Sequence, residues 1–193
     1  MIRDLLGVGI IVPDLESGRA FYELAGLETR VDGNDLVFRC EGRAQDQIRL
    51  MKGQKKKLAY VSFATDQVGM ATIRSNLAAR GVALLDEQFG KREGIWFLDP
   101  HQDWVNIQVA EAAPSTLPFS APINTPGNYA RIGTRACDTS SHGKRARPRR
   151  LGHLIKFTPN VDESIEFYTE ALGMKLSDRA GSILGFLRGG AGG

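Results

Sequence analysis

Histidine and cysteine are scarce in this chain. Its 193 residues include two cysteines, Cys40 and Cys137, and three histidines, His101, His142 and His153. Two cysteines cannot form a disulfide framework, so a reducing compartment is favoured and we expect a cytoplasmic location. A metal site built mainly from histidine would need nearly all three of these side chains.

Long apolar runs are absent as well. No stretch approaches the roughly 18 uninterrupted apolar residues that a membrane span requires. Residues 1–17 carry Asp4 ahead of an apolar run and have no small-residue cleavage site, which argues against a secretory signal. We therefore expect no membrane association. The hydrophobic content of 42% is ordinary for a protein that buries a core in one or two domains.

The excess positive charge is confined to one segment. Residues 111–150 hold seven basic and two acidic side chains, and five of the basic ones lie in residues 144–150. This segment is rich in proline, serine, threonine and glycine, which predicts a linker. A basic run can bind nucleic acid through counterion release. No aromatic residues interleave this run, and we expect no nucleic-acid partner.

Residues 1–110 show a pattern that predicts two similar units, each with one helix and several strands. Asp14 is the predicted cap of the first helix, and Gly26 the predicted stop. Because one helix covers only one face of a small sheet, two such units side by side would bury each other's remaining apolar surface. The predicted strands of the first unit are 5–12, 27–31, 36–39 and 47–51. The second unit has strands 58–64, 82–85, 95–98 and 104–109, with a helix over 67–80.

A third copy of the pattern begins after the linker. Residues 159–168 (PNVDESIEFY) repeat residues 13–22 (PDLESGRAFY) at a spacing of 146, with the proline and the Phe-Tyr pair in register. The preceding residues 151–158 align with residues 5–12 at the same spacing, which predicts another strand before another helix. We therefore divide the chain into a domain over 1–110, a linker over 111–150 and a third unit over 151–193.

Modules with this strand, Pro-Asx, helix and Phe-Tyr pattern resemble the vicinal oxygen chelate superfamily. That group contains glyoxalase I, bleomycin-resistance proteins and type I extradiol dioxygenases. Residues 153–178 (HLIKFTPNVDESIEFYTEALGMKLSD) resemble the start of an extradiol dioxygenase's C-terminal catalytic domain. The resemblance implies an α+β fold of paired βαβββ modules, with one complete two-module domain and one module of a second domain, the chain being C-terminally truncated.

The same resemblance implies a metal site that is incomplete within this chain. In the family, two histidines and one glutamate bind Fe(II) and leave positions open for catechol and O2. His153 matches the first ligand, whereas the equivalent positions in the first domain are Gly7, Tyr60 and Asn106, so we expect that domain to be metal-free. Carried forward by 146 residues, the other two ligands would lie near positions 206 and 252, beyond residue 193. We therefore expect Fe(II) in the full-length protein but not in this chain alone.

Three further residues match family positions near the aromatic substrate, namely Ile155, Asp178 and Phe186. Without the resemblance, Asp178 would be read as a surface residue and Phe186 as a core residue. His101 lies in an Asp-Pro turn and is expected to be exposed. The two Phe-Tyr pairs, at 21–22 and 167–168, are expected to pack in the core.

The implied function is extradiol cleavage of a catechol-type diol by O2, by a homo-oligomer, with the 1–193 chain inactive alone. Two alternatives remain open. One is a metal-free protein of the bleomycin-resistance type that holds a small molecule in the N-terminal cleft. The other is glyoxalase-like or epimerase-like chemistry, which Gly7 and Tyr60 disfavour because neither can replace the missing ligands. A third unit without its partner module would expose apolar strands, so we expect residues 151–193 to pack on a neighbouring subunit or to be poorly ordered.

Overall fold

The structure is a computed structural model that describes residues 1–89, 93–111, 113–114, 116 and 148–190. Most of the predicted linker therefore lies outside the described residues, as do Cys137 and His142. Nine strands and three helices are present in the described part of the chain. The strands are β1 (Asp4–Val12), β2 (Leu27–Asp32), β3 (Asp35–Cys40), β4 (Ile48–Lys52), β5 (Lys57–Thr65), β6 (Ile95–Leu98), β7 (Trp104–Val109), β8 (Lys175–Ala180) and β9 (Leu184–Arg188). The helices are α1 (Leu15–Leu24), α2 (Gln67–Ala79) and α3 (Val161–Glu166), and α3 continues as a π-helical turn over Phe167–Ala171.

The helix starts follow the repeat seen in the sequence. Asp14 caps α1 by accepting hydrogen bonds from the backbone N–H groups of Glu16 and Ser17, at 3.0 and 3.3 Å. Asn160 caps α3 in the same way, accepting from the second and third residues after it, at 3.1 and 3.2 Å. The predicted cap at Asp14 is confirmed, and the side chain at the repeated position has the same role.

The π turn accounts for a one-residue difference between the two repeats. Gly26 and Gly173 both have positive φ, 93° and 71°, as expected of the residue just past a helix end. Gly26 lies 12 residues after its helix cap and Gly173 lies 13 residues after its own. A π turn takes up one additional residue without ending the helix. From this point the spacing of the repeat is therefore 147 rather than 146.

The first two units share a single sheet of seven strands, in the order β2-β3-β4-β1-β5-β7-β6. The first strands of the two units, β1 and β5, pair antiparallel at its centre. Each of them also pairs in parallel with the last strand of its own unit, β4 and β7 respectively. The two halves of the sheet therefore have the same internal order, as the repeat predicts. Among the described residues, no helix is long and apolar enough to cross a membrane.

The helices cover one face of this sheet and form the main core with it. Leu50, Val61, Ile73 and Phe97 are among its most buried members. The third unit joins the same core through the end of α3, where Phe167 packs against Phe97 with ring centroids 6.2 Å apart. Its buried residues are Phe167, Tyr168, Ala171 and Leu172. The third unit thus packs on its own chain, a contact that the sequence did not predict.

Two predicted strands and one predicted core residue are wrong. Residues 82–85 contribute only the bridge from Leu85 to Trp96, and residues 151–158 pair with no strand among those described. An extended segment needs a neighbour to complete its hydrogen bonds, and periodicity does not show whether that neighbour exists. Phe21 is 64% exposed, although Phe167 at the repeated position is 5% exposed as predicted.

The strands β8 and β9 form a separate two-stranded sheet.

Candidate functional site

The face of the large sheet away from the helices carries the positions that match metal ligands in the resemblance. Gly7 pairs with Ser62 across β1 and β5, and Ser62 pairs with Asn106 across β5 and β7. Tyr60 lies two residues earlier on β5, opposite Gly9. Since alternate residues of a strand share a face, all five positions lie on one side of the sheet. On β5, the residue that lies directly between Gly7 and Asn106 is Ser62, whereas the sequence predicted that it would be Tyr60.

Asn106 uses all of its hydrogen-bonding groups inside the protein. Its Oδ1 accepts from Ser62 Oγ at 2.7 Å and from Gln108 Nε2 at 2.6 Å. Its Nδ2 donates to the carbonyl oxygens of Glu93 and Ile95, at 3.1 and 3.3 Å. Asn106 and Ser62 are both fully buried. Asn106 therefore has no free donor or acceptor for a ligand.

Aromatic side chains fill the rest of this face. Tyr60 is fully buried, with its ring centroid 5.3 Å from the rings of both Phe89 and Trp96. Trp104 continues the cluster, with centroids 5.6 Å from Phe89 and 6.3 Å from Trp96. Gly9 makes room for Tyr60, since a Cβ at Gly9 would lie 2.2 Å from Tyr60 Cε1. The N-terminal cleft is therefore packed with its own side chains, which disfavours a small-molecule site there.

The residues that match metal-ligand and substrate positions in the resemblance lie on the third unit. Asp178 and Phe186 are direct cross-strand partners on β8 and β9, so the structure places these two side chains together on one face. Both are exposed, Phe186 by 51%, so Phe186 is not a core residue. His153 and Ile155 lie on the segment 151–158 and are also exposed, Ile155 by 72%.

The described residues do not by themselves complete a metal site. They contain no group of three or more His, Cys, Asp or Glu side chains placed to hold a metal ion. An Fe(II) site of the implied kind needs three protein ligands, and His153 is one candidate among them. The residues present therefore do not fit the complete metal site.

A buried polar cluster that no sequence pattern predicted lies beside the segment 151–158. The carboxylate of Asp99 is fully buried. Its Oδ1 accepts from the backbone N–H groups of His101 and Asp103, at 2.9 and 3.0 Å, and its Oδ2 accepts from Tyr168 Oη at 3.0 Å and from Lys156 Nζ. Lys156 Nζ also lies 2.7 Å from Asp103 Oδ2. Burial, and then the negative charge of Asp99, raises the pKa of Tyr168 well above its ordinary value.

His101 also contacts the third unit, close to the Asp99 cluster. Its side chain is 10% exposed, and its Nε2 lies 3.3 Å from the carbonyl oxygen of Asn160 and 3.8 Å from Glu163 Oε2. The expectation of an exposed turn residue is therefore wrong. The Asp-Pro turn is a local signal, and it does not show that a distant part of the chain packs against it.

The fold is shown by comparison with solved structures. The chain superposes with a TM-score of 0.74 on a Mn(II)-bound glyoxalase from Novosphingobium aromaticivorans, at 21% identity, over 97% of this chain and 58% of that one. The TM-score is 0.67 for BphC, a halotolerant catechol dioxygenase, at 20% identity, over 97% and 61% of the two chains. These likenesses show the fold, the α+β vicinal oxygen chelate fold that the sequence predicted.

Sequence comparison finds similarity to the same group of proteins. Residues 150–192 match the model of the Glyoxalase/Bleomycin resistance protein/Dioxygenase superfamily. The chain is 37% identical to metapyrocatechase 2 of Cupriavidus necator over 180 residues, 91% of this chain and 53% of that protein. It is 26% identical to a biphenyl-2,3-diol 1,2-dioxygenase of Paraburkholderia xenovorans over 182 residues, 92% and 57% of the two. Over these ranges the chain is similar to members of this superfamily, and it spans about half the length of these curated relatives.

Proposed function

We propose that this chain is part of an extradiol dioxygenase, which cleaves a catechol-type aromatic diol with O2 at a non-haem Fe(II) site. The observation that carries the proposal is the 37% identity to metapyrocatechase 2, which extends over 91% of the chain. The segment with His153 also lies inside the family match at residues 150–192. The metal would bind the diol and O2 together and act as template and Lewis acid.

In this proposal His153 supplies one imidazole ligand, and the other two ligands come from residues outside those described. A single neutral imidazole does not hold Fe(II) tightly, because affinity depends on several ligands fixed in one geometry. We therefore expect residues 1–193 alone to lack ring-cleavage activity.

Three residues of the third unit are proposed to contact the aromatic substrate. Phe186 and Asp178 share one face of the β8–β9 pair, where an exposed ring can stack on an aromatic substrate and a carboxylate can accept a hydrogen bond. Ile155 lies two residues after His153, and both side chains are exposed. Its apolar side chain is proposed to pack against the ring of the substrate.

A chimera tests this function directly. Residues 1–193 are joined to the remaining C-terminal part of metapyrocatechase 2, loaded with Fe(II) and assayed with catechol for the yellow ring-opened product. We expect activity in the chimera, its loss in the His153→Gln variant, and its retention in the matched control His142→Gln. An active His153→Gln chimera would show that His153 is not a ligand.

The second arm uses residues 1–193 alone under the same conditions. We expect no ring-opened product from that chain with Fe(II) and catechol. Product formation there would contradict the proposal that further ligands are needed. An inactive chimera that folds and binds Fe(II) would contradict the assigned activity itself.

A further inference from the structure

The segment that carries His153 is held in place by side chains. Residues 151–158 pair with no strand among those described. Instead, Arg43 Nε donates to the carbonyl oxygen of Arg149 at 2.9 Å just before the segment, and Leu151 packs against the main core. At the other end, Lys156 binds Asp99 and Asp103. His153 therefore lies between two attachment points on the first domain.

The second attachment point is buried. The Asp99 carboxylate is fully buried, and Lys156, whose side chain is 17% exposed, is the cation that balances it. Tyr168 closes the site from α3, with Lys156 Nζ 5.8 Å from the centre of its ring. A buried carboxylate that loses its cation is strongly unfavourable, so Lys156 has little freedom to leave this position.

Fixing Lys156 also limits the position of the chain at His153, three residues earlier. At the Lys156 end of the segment, Ile155 and Phe157 are 72% and 95% exposed, while Lys156 and Thr158 are partly buried. Nearer His153 the alternation stops, because Gly152, His153 and Leu154 are all exposed. The His153 side chain is therefore open to solvent, and its backbone lies three positions before the buried ion pair of Lys156.

We propose that Asp99 and Asp103, which belong to the second unit, act through Lys156 as positioning residues for His153. The second unit would then orient the segment that carries His153. The role of His153 as a metal ligand rests on the proposed function, whereas the anchoring of its segment by Lys156 does not.

The test measures backbone order around His153 in the 1–193 chain by 15N relaxation. In the wild type we expect order parameters of about 0.85 for residues 153–157, and in Lys156→Met values below about 0.6. Lys156→Arg keeps the charge and should restore the order. Asp103→Asn removes only the partly exposed carboxylate, so it folds and gives an intermediate loss of order, which keeps the test available if Lys156→Met does not fold.

Arg80→Met is the matched control. Arg80 joins α2 to the third unit through Glu170 at 2.6 Å, so this variant also removes an ion pair between the units. It should leave the order of residues 153–157 unchanged.

The outcomes separate the two proposals. Unchanged order at residues 153–157 in both Lys156→Met and Asp103→Asn, or an equal loss in Arg80→Met, would overturn the positioning role. Loss of order confined to the Lys156 and Asp103 variants would support the positioning role. If the wild-type chimera were also inactive, the proposed function would be contradicted while the positioning role stood.

Discussion

Single residues explain how the helix-free face of the seven-stranded sheet is filled by its own side chains. Asn106 forms four hydrogen bonds within the protein, and Tyr60 occupies the space that the absent side chain of Gly9 leaves. The face that resembles a metal cleft is therefore part of the core. Substitutions here should cost stability rather than remove an activity.

Asn106→Leu should lower the free energy of unfolding by about 2–3 kcal/mol, because Ser62 Oγ loses its acceptor and the carbonyl groups of Glu93 and Ile95 lose their donor. Urea denaturation followed by circular dichroism measures the change. Asn34→Leu, in the exposed turn between β2 and β3, is the control and should change stability by less than about 0.5 kcal/mol. Equal effects of the two substitutions would show that the network contributes nothing specific.

Tyr168 should make the stability of the chain fall in alkaline solution. Its pKa in the folded state is raised above the unfolded value of about 10, so the folded state holds the proton more tightly. The stability contributed by this difference is complete below pH about 10 and is lost as the pH rises through the folded pKa. Tyr168→Phe lacks this titration, so its stability deficit relative to the wild type should narrow from pH 8 to pH 11. Parallel curves of urea midpoint against pH would contradict the prediction.

At the scale of elements, local sequence patterns predicted the helix caps and most of the strands, because nearby residues determine them. Asp14, Gly26 and the short apolar runs of 5–12 and 58–64 encode caps and strands through nearby atoms, and these elements formed as predicted. Residues 82–85 and 151–158 have equally good strand patterns, but sheet membership depends on a partner that no local pattern reveals. The register that aligns Ser62 with Asn106, and the approach of Lys156 to Asp99, are likewise long-range outcomes. The sequence therefore predicted the modules but not the contacts of Lys156 that anchor the segment 151–158.

The docking of α3 can be tested with a pair of substitutions that the internal repeat provides. Phe167→Ala should cost about 3–5 kcal/mol, because it removes a ring that is 5% exposed and leaves a cavity against Phe97. Phe21→Ala, at the repeated position in α1, removes a ring that is 64% exposed and should cost less than about 1 kcal/mol. Chemical denaturation of both variants measures the difference. Similar losses in the two variants would mean that α3 is not docked as described.

At the scale of the whole molecule, the third unit buries one side and exposes the other. Its helix end joins the core of the first domain, while several large apolar side chains remain in solvent. Phe157 is 95% exposed, Ile183 84%, Ile155 72% and Phe186 51%. Exposed apolar surface of this kind is typical of faces that pack against another protein surface. The same residues include two of the proposed substrate contacts, Ile155 and Phe186, so whatever covers this side would also enclose the proposed site.

We therefore expect the 1–193 chain to self-associate through the exposed side of its third unit. Apolar side chains leave water when two copies meet, at roughly 25 cal/mol for each Å² buried, so association should strengthen with protein concentration. Sedimentation velocity over a range of concentrations measures it, and the double variant Phe157→Ser, Ile183→Ser should shift the population toward monomer. The matched control is Phe21→Ser with Leu24→Ser, which removes two apolar side chains exposed by 64% and 78% from α1. Association that survives the first variant and disappears in the second would place the contact on α1 and leave the third unit's apolar side exposed to solvent in the assembled protein.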